Sequence, residues 1–365
     1  MTRFLQDILR QPHELQRTLL HLCEAGRESL HRAASAVAAA GHVYLTGIGS
    51  SWHAAMNIGA LFDALGFPLV LRDAAEMTHY GVFPQGAVII AISRTGRSGE
   101  IVQLLTKARE NGSTVIGVTN SPEGPLAQQA QIPLVIPVGL DHGISVNTYT
   151  TLAAAGAAIA CELGSTFDNE LVADLSQSLA ETAHAIPCWQ EQLHDSTWLL
   201  PGAVYYFLAR GSSLGSCHEA RLLWEEGAKT PAAAMGTSSF RHGPQEMVTP
   251  GSCFGIWLDG RRMRAQDLAV VRDLRRLGGS VMLIGQEAPD DAGDLVFQLP
   301  KVDDAWQFLV DIVPAQLAAE RLAALSGVDC DSFRYCSYVV EDEYGLMKEG
   351  VAARQGNSGH LRSGS

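Results

Sequence analysis

The sequence predicts an α/β protein with two doubly wound parallel sheets, each flanked by helices, with a helical N-terminal lead-in and an irregular C-terminal tail. From His42 onward, short apolar runs that end in Gly or Ser alternate with helical stretches. Strands of this kind are buried on both faces, and the helices that join them make the sheet parallel. Four strands recur in the same order about 160 to 168 positions later, which favours a duplicated unit over one large sheet.

The chain of 365 residues is acidic and rich in apolar residues. Its 26 Lys and Arg stand against 39 Asp and Glu, and the formal net charge of -13 repels nucleic acid and anionic membranes. Because charged residues are only 18% and hydrophobic ones 47%, we expect apolar surface to be buried between subunits. The seven cysteines form no CxxC pair and no cationic leader is present, which predicts a reduced, cytoplasmic enzyme without structural zinc.

Residues 1–40 are predicted to be a helical lead-in. Apolar residues such as Phe4, Ile8 and Leu15 recur there at helical spacing, with a break expected at Pro12. Residues 41–165 are predicted to form the first sheet unit. Its apolar runs are HVYLTGIGSS, FPLVLRDAAE, AVIIAISRTGRSGE, STVIGVTN and IPLVIP. The Ala- and Gly-rich residues 148–163, too short to cross a bilayer, are expected to be a close-packed interface helix.

The second half repeats this organisation after a connecting segment. Residues 166–198 predict a linking helix broken at Pro187, and residues 199–328 predict the second sheet unit. Its strands are AVYYFLARGSS, CFGIWLDG, SVMLIG and LVFQLP, and its first strand ends in a Gly-Ser-Ser turn like that of the first unit. Residues 329–365 are the predicted tail, in which a strand-like run precedes a Gly/Ser-rich end expected to be disordered.

The loop over residues 93–100 has the composition of a phosphate site. It follows an apolar strand and precedes a helix, it offers the hydroxyls of Ser93, Thr95 and Ser98, and its glycines free backbone N–H groups. The alternative is an ordinary N-capped turn. Two more Ser- and Gly-rich turns, over residues 47–51 and 141–147, are expected at the same edge of the sheet, where ligands bind in such folds. Their convergence favours phosphate binding over the alternative.

Five motifs together resemble a known family. The segments GIGSSWH, ISRTGRSGE, GISVNTYT, HEARLLWEEGAKT and SFRHGP are similar to those of the tandem sugar isomerase (SIS) family. That family includes the isomerase half of glucosamine-6-phosphate synthase, the fructosamine-6-phosphate deglycases and the amino-sugar-phosphate isomerases or deaminases. The resemblance covers about residues 1–341 and implies two SIS domains. Nothing in the sequence corresponds to the glutaminase domain of the synthase, so glutaminase activity is not expected.

The resemblance also implies the functional residues. The positions that match the family's phosphate and sugar contacts are Ser50, Ser51, Ser93, Arg94, Thr95, Ser98 and Ser145. Glu226 matches the base that moves a proton between C1 and C2 of the open-chain sugar, although the adjacent Glu225 leaves a one-residue ambiguity. A single helix Glu is more often solvated than catalytic. Glu219 lies seven residues before Glu226, on roughly the same helix face.

His242, in the turn before Gly-Pro, matches the family's residue that reaches into a neighbouring subunit's site and assists ring opening. This role requires a homodimer with shared active sites. The alternative for a lone His is a structural hydrogen bond, and His53, His79 and His218 are predicted to be structural.

The sequence departs from the family at two places. The synthase's tail lysine has no counterpart, since Cys336 or its neighbours align there and the next lysine is Lys348. This puts synthase-type isomerisation in doubt. Arg94 and Arg97 stand where the family often has Gln and Glu, and they are candidates for the phosphate or a second anionic group. The alternative is that one or both point to solvent.

The sequence therefore predicts an enzyme that acts on a phosphorylated amino sugar or fructosamine as an isomerase, deaminase or deglycase, without a cofactor or metal. The alternative is a non-catalytic phosphosugar sensor that regulates a partner protein. A dinucleotide-dependent enzyme is disfavoured because no GxGxxG follows the first strand.

Overall fold

The computed structural model of the protein describes residues 1–343 and 345–346. The predicted disordered end and Lys348 lie outside these residues. The helices are α1 (Arg3–Cys23), α2 (Arg27–Ala39), α3 (Ser50–Ala64), α4 (Ala74–His79), α5 (Gly99–Glu110), α6 (Pro125–Gln129), α7 (Asn147–Leu163), α8 (Asn169–Asp195), α9 (Leu214–Glu226), α10 (Thr237–Phe240), α11 (Arg264–Arg276), α12 (Phe308–Asp311) and α13 (Val313–Leu325). The strands are β1 (Val43–Thr46), β2 (Val70–Leu71), β3 (Val88–Ile92), β4 (Thr114–Thr119), β5 (Ile132–Val135), β6 (Tyr205–Ala209), β7 (Ala232–Gly236), β8 (Cys253–Trp257), β9 (Ser280–Gly285) and β10 (Leu295–Gln298).

The strands form two parallel sheets of five strands each. The first has the order β2-β1-β3-β4-β5, and the second has β10-β9-β8-β6-β7, which is the same order when its strands are numbered within their own unit. The predicted fold class of two doubly wound parallel sheets is therefore confirmed. Because every strand is parallel to its neighbours, the carboxyl ends of β1 to β5 meet at one edge, and the loops that follow them converge there.

The sequence analysis did not predict strand β7 of the second unit. Strand β7 pairs with β6 at the position that β2 occupies beside β1, and it follows β2 by about 160 residues, the spacing of the repeat. Its sequence, AAAMG, carries no β-branched or aromatic residue. Local composition therefore hid the strand, although the repeat spacing would have located it.

The breaks predicted at Pro12 and Pro187 are wrong, because α1 and α8 run through both prolines without interruption. A proline removes one backbone hydrogen bond, but the buried residues on both sides of each proline, such as Leu15 in α1 and Trp189 in α8, keep the helix packed.

The prediction of a strand-like run in the tail is also wrong. Residues 329–343 contain no strand. They lie against the loops that follow β1 and β3, and not beside an edge strand with which they could pair.

Helix α7 lies in the core, as the prediction of a close-packed helix requires. It is buried from Asn147 to Ala160 and packs against α1, α2 and α3. At Gly156 an added Cβ would lie 2.2 Å from Cδ1 of Ile58 in α3, so any larger residue would require the Ile58 side chain to move. Within the described residues, no helix is both long and apolar enough to cross a membrane.

The carboxyl group of Asp311 is fully buried where α12 ends. Burial raises its pKa to about 7, against the opposing effect of the nearby Ser213, Ser216 and Gln307. When folding raises the pKa of an acid, the free energy of unfolding falls as pH rises from the pKa in the unfolded chain to the pKa in the folded protein. Above the folded-state pKa, this loss of stability stays constant.

We therefore expect Asp311→Asn to raise the free energy of unfolding at pH 8 by about 4 kcal/mol, and to change it far less at pH 4. Denaturant unfolding of both proteins at the two pH values measures this difference. Asp273→Asn, at an exposed position, is the control. An equal effect of Asp311→Asn at both pH values would contradict the assignment.

Candidate functional site

A cavity of about 260 Å³ lies at the carboxyl edge of the first sheet, where the loops after β1 and β3 meet helix α9 and the tail. Eight of the nine site residues predicted from the sequence line it, namely Ser50, Ser51, Ser93, Arg94, Thr95, Ser98, Ser145 and Glu226. These residues come from four separate parts of the chain. Their convergence is the geometry that the three Ser- and Gly-rich turns predict.

The loop between β3 and α5 supplies four of these side chains. Ser93 is buried, and its Oγ accepts the Gly96 N–H at 3.1 Å, so this hydroxyl holds the loop in shape. Gly96 has a φ of 64°, in the left-handed region that favours glycine. Thr95 and Ser98 are partly buried and face the cavity just before the N-terminus of α5, where the helix dipole favours an anion.

The other two turns complete the polar wall. Ser50 and Ser51 are the first residues of α3, after Gly49 with a φ of 58°. Ser145 accepts a hydrogen bond at Oγ from the Arg94 guanidinium at 3.1 Å. Neutral hydroxyls and the N-termini of α3 and α5 thus lie at the cavity, and a single guanidinium of its lining supplies positive charge.

The two arginines of the loop take different positions. Arg94 is partly buried; it donates to the carbonyl of Tyr338 at 2.7 Å, and its guanidinium carbon lies 4.0 Å from the centre of the Tyr338 ring. Arg97 is exposed and lines a separate depression beside Gln103, Glu123 and Glu341. Only Arg94 can meet a ligand in the cavity.

Glu226 is the last residue of α9 and reaches the cavity from the second unit. The pKa of Glu226 is raised to about 7. Burial is the largest cause and the negative charge of Glu219 is the second, while the positive charges of Arg94 and Lys229 lower the pKa. Glu225 instead is exposed and pairs with Arg221 at 2.7 Å. Of the two adjacent carboxylates, Glu226 lines the cavity and Glu225 does not.

His242 lies outside this group. It is exposed in the turn before Gly243 and Pro244, its backbone N–H donates to Ser239 at 3.0 Å, and it is not among the residues lining the cavity of its own chain. Among the other histidines, His53 pairs with Glu219 at 2.7 Å and His79 with Glu343 at 2.6 Å.

The tail contributes a wall that the sequence did not assign in detail. Cys336, Ser337, Tyr338, Val339 and Val340 line the cavity together with Phe333. The Tyr338 hydroxyl donates to the Asp141 carbonyl at 2.9 Å, and the Val340 carbonyl accepts the N–H of Gly99, the first residue of α5, at 3.1 Å. The alignment with the family's tail pointed to Cys336 and its neighbours, but no local signal indicates that their backbone would contact the loop between β3 and α5 and the start of α5.

The corresponding loop of the second unit is filled by its own carboxylate. Oδ1 of Asp259 accepts the backbone N–H groups of Arg261, Arg262 and Met263 at 3.0, 2.6 and 2.8 Å. Because these donors precede α11 and already hold an anion, the second unit has no equivalent open anion site at this loop.

Among the described residues, no group of three His, Cys, Asp or Glu side chains is placed to hold a metal ion.

Comparisons with known proteins show which sequences and folds this chain resembles. Residues 37–160 match the SIS domain model. The isomerizing glutamine–fructose-6-phosphate aminotransferase of Aeropyrum pernix is 28% identical over 362 residues, covering 93% of this chain and 57% of that protein. The chain spans about half the length of the curated relatives it matches.

Two solved structures share the fold over nearly their whole length. One is the C-terminal domain of glucosamine-fructose-6-phosphate aminotransferase from Francisella tularensis, with a TM-score of 0.80, 20% identity, and coverage of 91% of this chain and 98% of that one. The other is glucosamine-6-phosphate deaminase from Thermotoga maritima, with a TM-score of 0.78, 20% identity, and coverage of 93% and 99%. Residues 37–160 therefore form a SIS domain, in a chain that is homologous to the glutamine–fructose-6-phosphate aminotransferases.

Proposed function

We propose that the protein is an enzyme that transfers a proton between C1 and C2 of an open-chain amino-sugar phosphate or fructosamine phosphate. The observation that carries this proposal is the position of Glu226, whose pKa is raised to about 7, in the same cavity as the hydroxyls of the phosphate loop. A carboxylate with a pKa near neutrality both takes and returns a proton efficiently at that pH.

The phosphate is bound by the hydroxyl-rich turns. Thr95 and Ser98 stand before the N-terminus of α5, and Ser50 and Ser51 stand at the N-terminus of α3, so two helix dipoles favour a dianion between them. The acidic net charge of the chain is no obstacle, because neutral donors stabilise the phosphate locally.

Glu226 then acts on the carbon chain. With an aldose that carries its amine on C2, the C2–H bond breaks, its electron pair forms a C1=C2 double bond, and the C1 carbonyl oxygen takes a proton. Return of the proton to C1 gives an imine at C2, which water hydrolyses to a ketose and free amine. With a fructosamine, the amine is on C1 and the proton moves from C1 to C2, so that hydrolysis releases the amine from C1.

We also propose that the active enzyme is a homodimer in which His242 serves the site of the second copy. Its exposed position outside the cavity of its own chain supports this arrangement, and the Gly-Pro turn holds its backbone. An imidazole can donate and accept the protons that ring opening requires near neutral pH.

A substrate panel tests the proposal. It compares fructose-6-phosphate, glucosamine-6-phosphate, N-acetylated hexosamine phosphates and fructosamine-6-phosphates, each beside its unphosphorylated sugar, by thermal stabilisation and by released amine or ammonia. We expect at least one amino-sugar or fructosamine phosphate to stabilise the protein and to be turned over, and its unphosphorylated form to do neither. Stabilisation without turnover would favour a phosphosugar sensor over an enzyme. If no compound is turned over and none stabilises the protein, phosphosugar binding itself is overturned.

A further inference from the structure

A buried polar pair joins the two helices that supply the candidate site. Nδ1 of His53 in α3 lies 2.7 Å from Oε2 of Glu219 in α9, and the two side chains are only 5% and 1% exposed. Neither residue lines the cavity. Removing a carboxylate from water is costly unless it is paired, so a buried carboxylate behind a site calls for an explanation.

The pair lies directly behind the residues that the site uses. His53 is one helical turn beyond Ser50, and Glu219 is two turns before Glu226 on the same face of α9. At Gly215 an added Cβ would lie 2.3 Å from the His53 carbonyl oxygen, so the start of α9 rests directly on α3. The pair thus connects the helix of the phosphate hydroxyls to the helix of the base.

We propose that Glu219 is a positioning residue for Glu226: its negative charge acts on the base along α9, and His53 holds that charge in place from α3. This inference rests on the proposed function, in which Glu226 moves the proton.

The charges around Glu226 support this role. Glu219 and Glu225 face it from its own helix, Arg94 from the phosphate loop, Lys229 from the turn after α9, and Cys336 from the tail. Of the two carboxylates, Glu219 has the larger effect in raising the pKa of Glu226, even though Glu225 is adjacent in sequence. A charge buried without water is screened less than an exposed one, which explains this order.

Two titratable groups beside the pair, His218 and Tyr149, are neutral at pH 7. Burial and the neighbouring His53 lower the pKa of His218 to about 4, so its ring is neutral. Burial and Glu219 raise the pKa of Tyr149 well above its usual value, so that side chain is also neutral.

The decisive variant is Glu219→Gln, which keeps an oxygen for the hydrogen bond to His53 and removes the charge. We expect the acid limb of the pH profile of kcat/KM to move down by roughly half a unit to one unit. Glu225→Gln is the matched control and should move the limb less. Glu219→Asp, which keeps the charge, should leave the limb near its wild-type position. A merely structural role would lower stability in all Glu219 variants without moving the limb.

A second measurement needs no substrate. The difference in unfolding free energy between the wild type and Glu226→Gln, followed against pH, reports the proton uptake of Glu226 through linkage. Repeating this difference in the Glu219→Gln background should move its midpoint down by the same amount. If the panel shows no turnover, the proposed function fails while this measurement still tests the pair. An unmoved midpoint, or an equal shift with Glu225→Gln, would overturn the inference.

Discussion

Replacing Glu226 with Gln is expected to lower kcat by about 10²- to 10⁴-fold while the affinity for the sugar phosphate is retained. The amide keeps the size of the side chain but cannot take a proton from carbon. The hydroxyls that we propose to bind the phosphate belong to other loops and are unchanged. Steady-state kinetics and thermal stabilisation by the best compound of the panel measure the two quantities.

The matched control is Glu225→Gln, because Glu225 is exposed, paired with Arg221 and outside the cavity. It should retain near wild-type turnover. In the wild type, kcat/KM should rise with pH as Glu226 loses its proton near pH 7, since only the carboxylate can act as a base. Unchanged turnover in Glu226→Gln would remove this residue from the mechanism.

Pairing two inactive chains is expected to restore activity. A dimer of one Glu226→Gln chain and one His242→Asn chain contains one site with both residues intact, if each site takes His242 from its partner. Such heterodimers, isolated with two different affinity tags, should have roughly half of the wild-type activity per dimer, because one of two symmetric sites is complete. Each parent homodimer should be nearly inactive.

The reciprocal heterodimer provides the control. It carries both substitutions in one chain and none in the other, so shared sites leave neither complete and the dimer should be inactive. If each chain used its own His242, the results would be reversed, with activity in the second heterodimer and none in the first. A protein that stays monomeric at assay concentration would contradict the shared site as well.

Much of the loop over residues 93–100 was predictable because its hydroxyl side chains and the elements around it follow each other in the sequence. Ser93, Thr95 and Ser98 stand within one strand–turn–helix segment, and parallel strands place the loops after them at one edge. The repeat made the second sheet predictable in the same way. Strand β7 was missed because the tertiary pairing with β6 overrides its weak strand composition.

The resemblance pointed to Glu226, but the adjacent Glu225 left that assignment open by one residue. The orientation of α9 shows which of the two side chains lines the cavity, and it is Glu226. The same holds for Arg94 and Arg97: both belong to one loop, yet one contacts Tyr338 from the tail and the other faces a separate depression.

The sequence by itself determined the two parallel sheets, the SIS domain over residues 37–160 and the hydroxyl side chains that line the cavity, because each depends on a short contiguous pattern or on its repetition. Only the tertiary structure decided the contact of the tail with the loop over residues 93–100 and the buried pair of His53 and Glu219. These contacts join residues that are far apart in the chain, and their strength depends on burial, which no local pattern encodes.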